Sequence, residues 1–207
     1  MDELGKIKLY NADCMDIMRQ YPDKYFDLAV VDPPYGIGIT KSGRLKRYNS
    51  ANTTWDNQIP DKNYFDELFR VSKNQIIWGG NYFLDFLKAT KCFLIYDKKR
   101  PQGLSFASCE FAWTSFDGVA KSFYFSPRLM KDRIHPTQKP IPLYEWIFKN
   151  YANKTDKVLD THLGSGSSAI AAYNYGVDFT GVEIDEEFYT AAKKRLIQRQ
   201  SELDLSF

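Results

Sequence analysis

The segment that most constrains the fold is "KVLDTHLGSGSSAIAAYNYGVDFTGVEIDEEFYTAAKKRL", residues 157–196. It opens as a short apolar strand, turns through glycines and enters a helix that Gly176 ends. A second strand-like run, 177–185, leads into another helix, with Asp185 as its cap and two acids in its first turn. Two strands joined through a helix of this length close as a right-handed parallel crossover. That unit predicts an α/β fold with a doubly wound, mostly parallel sheet.

The rest of the chain extends the alternation. "IKLY" (7–10), "FDLAVV" (26–31), "QIIWGG" (75–80) and "CFLIYDK" (92–98) read as strands. "DCMDIMRQ", capped by Asp13, and "KNYFDELFRVS" (62–72) read as helices, as do "NYFLDFLK" and "LYEWIFKNYA". "EFAWTSF" (110–116) and "KSFYF" (121–125), joined through Asp117-Gly118, predict a β-hairpin at one edge. The count is eight strands and at least five helices. No linker-like composition divides them, so residues 1–207 read as one domain with a sizeable core. Residues 36–60, which include "TKSGRLKRYNSANTT", have no apolar period and predict a long mobile loop.

Charge and cysteines narrow the setting. A net charge of +2 leaves a nucleic-acid partner open. Cys14, Cys92 and Cys109 lie far apart, with no CxxC and no metal-like spacing, which predicts reduced thiols and no metal. "MDELGKIKLYN" has no signal-like apolar run, and no segment is long enough to span a bilayer. A cytoplasmic protein is expected.

Two features carry chemistry. Gly164 and Gly166 sit between a strand and a helix, where backbone can approach a ligand and helix N–H groups are free. Glu183 ends the next strand, 19 residues after Gly164, placed to accept hydrogen bonds from ribose hydroxyls. The turn suits an adenosine-containing cofactor but does not choose between NAD and S-adenosylmethionine. A tight turn without a ligand is the plain alternative.

The second feature is Asp32-Pro33-Pro34-Tyr35, where a strand stops at an acid followed by two rigid residues without N–H donors. Such a corner can hold a planar amine. The Asp32 carboxylate and the Pro33 carbonyl would each accept one amine N–H, and the Tyr35 ring would stack on the base. A proline turn with a packed tyrosine is the bland reading.

This corner resembles the DPPY motif of the amino-group DNA methyltransferases. "LYNADCMDIMRQYPDKYFDLAVVDPPYG" is similar to that family's opening block. "RIHPTQKP" resembles its proline-lysine segment. "LDTHLGSGSS" resembles its S-adenosylmethionine loop, with Thr161-His162 where the family usually has Pro-Phe. The corner precedes the glycine loop, which is the order of the β class. The resemblance implies a Rossmann-like methyltransferase fold and a direct methyl transfer to a flipped base in double-stranded DNA. It implies that Asp32, Pro33, Pro34 and Tyr35 form the catalytic corner. It implies that Asp160, Leu163, Gly164, Ser165, Gly166 and Glu183 bind the cofactor, with Asp13 and Cys14 bordering its adenine. Thr137 and Lys139 would approach the methionine carboxylate, and His135 would be structural. Asp at the head of the corner favours adenine N6, with cytosine N4 as the alternative, because cytosine enzymes more often carry Ser there.

No block is large enough for a separate target-recognition domain. Lys41, Arg44, Lys46 and Arg47 of the loop, with Lys98, Lys99 and Arg100, are expected to contact phosphates. Recognition would be short or loose, or helped by a homodimer or a second subunit, and restriction-modification is the expected setting. Two competing readings remain at this stage. A nicotinamide oxidoreductase explains the glycine turn but not the corner. A non-catalytic nucleic-acid-binding relic accommodates Thr161 and His162.

Overall fold

A computed structural model of the chain describes residues 1–38, 55–101, 103, 107–130, 133–135 and 137–204. Nine strands form one sheet: β1 (Asp2–Leu4), β2 (Ile7–Asn11), β3 (Phe26–Val31), β4 (Ser72–Trp78), β5 (Phe93–Asp97), β6 (Cys109–Thr114), β7 (Lys121–Tyr124), β8 (Lys157–Asp160) and β9 (Asp178–Glu183). Their spatial order is β1-β2-β9-β8-β3-β4-β6-β5-β7. The five strands β2, β9, β8, β3 and β4 run parallel, and β4–β6, β5–β6 and β1–β2 are antiparallel.

Five α-helices cover the sheet: α1 (Cys14–Met18), α2 (Lys62–Val71), α3 (Ile141–Tyr151), α4 (Ser167–Tyr175) and α5 (Glu186–Asp204). Alternation along β3 shows why both faces are needed. Leu28 and Val30 pack on one side with residues of α3, α4 and α5. Ala29 and Val31 pack on the other with Met18 of α1 and Phe65 and Leu68 of α2. The apolar run Leu28–Val31 buries both faces only inside such a three-layer stack. Helix starts follow from local chemistry. Asp13 accepts from the Met15 N–H at 2.8 Å, Asp61 from Tyr64 and Asp185 from Glu187 and Phe188. Gly176, at φ +91°, closes α4.

Two local expectations fail. The segments 110–116 and 121–125 do not pair with each other. β5 lies between β6 and β7, antiparallel to the first and parallel to the second. A tight hairpin lies at the opposite edge, where β1 meets β2 across Gly5-Lys6, and β5 and β6 are a second consecutive antiparallel pair. The stretch 81–88 forms no α-helix, only one 3-10 turn over Gly80–Tyr82. Its rings reach the core without one, since Phe83 and Phe86 pack on Phe65 with centroids 5.3 and 4.9 Å apart. No helix among the described residues is long and apolar enough to cross a membrane.

Candidate active site

The parallel strands present their carboxyl ends along one rim, and the chemistry-bearing residues collect there. Asp32 follows β3, Gly79 follows β4, and Asp160 and Glu183 end β8 and β9. Asn11, at the end of β2, ties the rim together: its side-chain amide donates to the Glu183 and Ile184 carbonyls at 2.9 and 3.2 Å. This is the crevice that a doubly wound sheet offers to ligands.

On the glycine-loop side, Gly164 and Gly166 hold φ of +51° and +74°. A Cβ on Gly166 would stand 2.9 Å from the Ala192 Cβ, so the loop lies against α5 with no room for a side chain. A Cβ on Gly164 would meet the His135 ring and the His162 carbonyl at 3.9 Å, ordinary contact with no clash, so that position is less crowded than Gly166. Glu183 is nearly buried. One carboxylate oxygen accepts from the Gly164 N–H at 2.7 Å and the other from Asp185 at 3.0 Å. Each oxygen keeps acceptor capacity beyond that bond. Asp160 accepts from the His162 N–H at 3.0 Å and the Ser168 hydroxyl at 2.6 Å. Burial pushes its pKa up to about 7. Asp13 and Cys14 cap the neighbouring α1. Burial, and then the Asp13 charge, raise the Cys14 thiol to about 12 and leave it inert. Leu163 donates to Val182, and Ser165 and Ser167 pair hydroxyls at 3.1 Å. A left-handed glycine turn uncrowded at Gly164, spare acceptors on Glu183 and a buried acid beneath fit an adenosine-bearing cation.

The departure Thr161-His162 has its own packing. The Tyr64 hydroxyl meets Thr161 Oγ1 at 2.7 Å, and Thr161 Oγ1 meets His162 Nδ1 at 2.9 Å. The His162 ring lies edge-on to Tyr64, and burial lowers its pKa to about 4. His135 packs between Trp55 and Phe188 and pairs its Nδ1 with the Thr137 hydroxyl at 3.1 Å. The His135 ring thus stands between Thr137 and Gly164.

At the corner, the Tyr35 hydroxyl donates to Asp32 Oδ1 at 2.6 Å. Gly79, at φ +73°, makes room for the Tyr35 ring: a Cβ there would stand 2.2 Å from the ring. Tyr82 stacks on Tyr35 with centroids 5.0 Å apart. Buried Asp56 accepts from the Tyr35 and Gly36 N–H groups at 2.8 and 3.0 Å, which fixes the chain after the prolines. Lys139 departs from expectation. Its ammonium is not at the glycine loop. It lies 2.5 Å from Asp32 Oδ2, 3.2 Å from the Tyr35 hydroxyl and 3.1 Å from Glu110 Oε2. Burial raises the Asp32 pKa, while the Lys139 charge opposes that rise.

Sequence reading missed Glu110, Asp56, Tyr64 and Tyr82. Alternation signals Glu110, because it shares a strand face with buried Ala112 and Thr114. Lys98, expected to meet phosphates, is instead paired with Glu110 and largely shielded. Lys41, Arg44, Lys46 and Arg47 lie outside the described residues. Among the described residues, no group of three or more His, Cys, Asp or Glu side chains could hold a metal ion.

Comparison with known proteins decides the family. The N6/N4 DNA methylase family model matches residues 76–194, more than half of the chain. The chain belongs to the N6/N4 DNA methylase family. It is 22% identical to the type II methyltransferase M1.MboII of Moraxella bovis, over 89% of this chain and 94% of that one. The crystal structure of the M1.HpyAVI complex with S-adenosylmethionine superposes with a TM-score of 0.62 at 23% identity, covering 92% of this chain and all of that one. The cytosine-N4-specific PvuII DNA methyltransferase gives a TM-score of 0.65 at 12% identity, over 92% and 86%. The fold is therefore the Rossmann-like methyltransferase fold, and S-adenosylmethionine is the methyl donor of this enzyme family. The chain is a DNA methyltransferase.

Proposed function

We propose that this methyltransferase modifies the N6 amino group of adenine in double-stranded DNA, on a base swung out of the duplex into the crevice. The observation that carries the reading is an acid at the head of the corner, held between the Tyr35 hydroxyl and Lys139 at the strand ends. Bound S-adenosylmethionine supplies a methyl group on an electrophilic sulfonium. Glu183 would hold the ribose hydroxyls through its spare acceptors. Gly164, Ser165 and Gly166 would lie along the methionine part, with Asp160 beneath. Thr137, with Asp13 and Cys14, would border the cofactor.

Asp32 and the Pro33 carbonyl would accept the two amine N–H groups and draw nitrogen electron density out of the ring. The prolines hold both acceptors in place before the base arrives. Burial raises the proton affinity of Asp32, which suits that carboxylate to take the proton the methylated nitrogen sheds. The fold does not separate adenine from cytosine, since a cytosine-N4 enzyme superposes as well as any neighbour described above. Asp rather than Ser at position 32 supports adenine.

The test is methyl transfer from labelled S-adenosylmethionine to unmethylated genomic DNA, with nucleoside mass spectrometry and Asp32→Ala alongside. N6-methyladenine that disappears in the variant is the expected result. N4-methylcytosine would overturn the base assignment.

A further inference from the structure

The Asp32 carboxylate is ion-paired before any substrate arrives. Its Oδ1 accepts from the Tyr35 hydroxyl and its Oδ2 lies 2.5 Å from the Lys139 ammonium, whose charge weakens that oxygen as an acceptor for an amine. Lys139 is itself almost fully buried, with its side chain 2% exposed, so it cannot retreat into water. A buried ammonium that leaves one carboxylate needs another close by.

Glu110 is that carboxylate. Its buried Oε2 lies 3.1 Å from Lys139 Nζ, a looser contact than the 2.5 Å that Lys139 makes to Asp32. Lys98 holds the other Glu110 oxygen, and the charge of Lys139, then that of Lys98, outweighs burial and keeps the carboxylate ionised, with a pKa of about 2. The row Asp32–Lys139–Glu110–Lys98 therefore sums to zero charge, with Lys139 held closer to Asp32 than to Glu110.

We infer that Glu110 is a positioning residue: it receives Lys139 when the target amino group takes the Asp32 oxygen, and Lys98 holds it ready. A shift of Lys139 toward Glu110 returns acceptor strength to Asp32 without exposing or stranding a charge. Lys139 stays over the Trp78 and Tyr35 rings, 5.2 and 5.7 Å from their centroids, and these cushion the ammonium in either seat. The inference rests on the reading of Asp32 as the acceptor for the amine.

The test uses the full chain. Methyl transfer by the natural protein, abolished in Asp32→Ala, establishes the underlying reading; failure there overturns both. Glu110→Gln then has two readouts. Its kcat is expected to fall about 10- to 100-fold, with the KM for S-adenosylmethionine unchanged, and Glu110→Asp should return part of the rate. Without DNA or cofactor, carboxyl 13C NMR should show the Asp32 titration midpoint moving down in Glu110→Gln, which keeps the cation and loses an anion. It should move up in Lys98→Met, which loses a cation. The other groups facing Asp32 are Tyr35, Tyr64, Tyr144, Asp160 and Lys139, and all are unaltered in these variants. If Glu110→Gln does not fold, Lys98→Met carries the test. An unmoved Asp32 midpoint, or a full rate without Glu110, overturns the inference and leaves the methyltransferase assignment standing.

Discussion

Asp160→Asn should make this protein more stable, and more so as pH rises. Asp160 is buried, and its carboxyl is held at about 7 rather than 3.8, with desolvation the largest cause. Carrying that ionised group in the folded state costs about 4 kcal/mol above pH 7. The folded state binds the proton more tightly than the unfolded one. The cost is therefore complete above pH 7, shrinks as pH falls and is gone near pH 4. Asparagine keeps the geometry. Its carbonyl accepts the His162 N–H, and its amide faces the Ser168 hydroxyl, which can turn to accept. For a chain of this size the gain corresponds to about 10 °C in Tm at pH 8. Thermal unfolding of both proteins between pH 5 and 9, without cofactor, measures it. A gap that is equal at pH 5 and pH 8, or a variant that melts lower at pH 8, would mean that Asp160 carries no such ionisation cost. The affinity for S-adenosylmethionine should fall in the same variant, a trade of function for stability.

Three other perturbations have defined outcomes. Gly166→Ala forces a left-handed φ on a residue whose Cβ meets Ala192 at 2.9 Å, so chemical denaturation should show a loss of about 1–3 kcal/mol. Asp56→Ala leaves the Tyr35 and Gly36 N–H groups without their carboxylate, and single-turnover kinetics should show transfer slowed about tenfold or more with cofactor affinity kept. His162, held neutral by burial, contributes stability that is complete above pH 6.5 and lost as pH falls toward 4. His162→Phe should therefore flatten the acid side of the Tm–pH curve, and an unchanged curve would deny the buried neutral form.

The sequence showed the framework where local chemistry decides structure. The strands at 26–31 and 157–160, the Asp13 cap and the Gly176 stop each depend on residues within one turn or one strand. It misled where pairing is settled at a distance. Asp117-Gly118 is a fair turn signal, yet the order β6-β5-β7 depends on which strand fits beside β4, and no local window contains that information. The stretch 81–88 has helical spacing, but Gly79 and Gly80 let the chain double back at once, and packing on Phe65 replaces a helix. The site divides the same way. The corner and the glycine loop were legible as motifs. Lys139 was legible as a lysine but not as the partner of Glu110, because that contact joins two elements through space.

The position of β2 and β3 has a consequence for synthesis. They are consecutive in the chain, yet β8 and β9 lie between them in the sheet. β2 finds its inner neighbour only when Phe179 stands opposite Ile7, and the Asp32 corner meets Asp160 only across β8. A chain still being made, with its first 150 residues out of the ribosome, already displays the corner but has a gap two strands wide. Assembly must wait for the last stretch to insert, a long-range closure that slows folding. An unfinished chain therefore carries the corner while it still lacks the strands and glycine loop that complete the crevice.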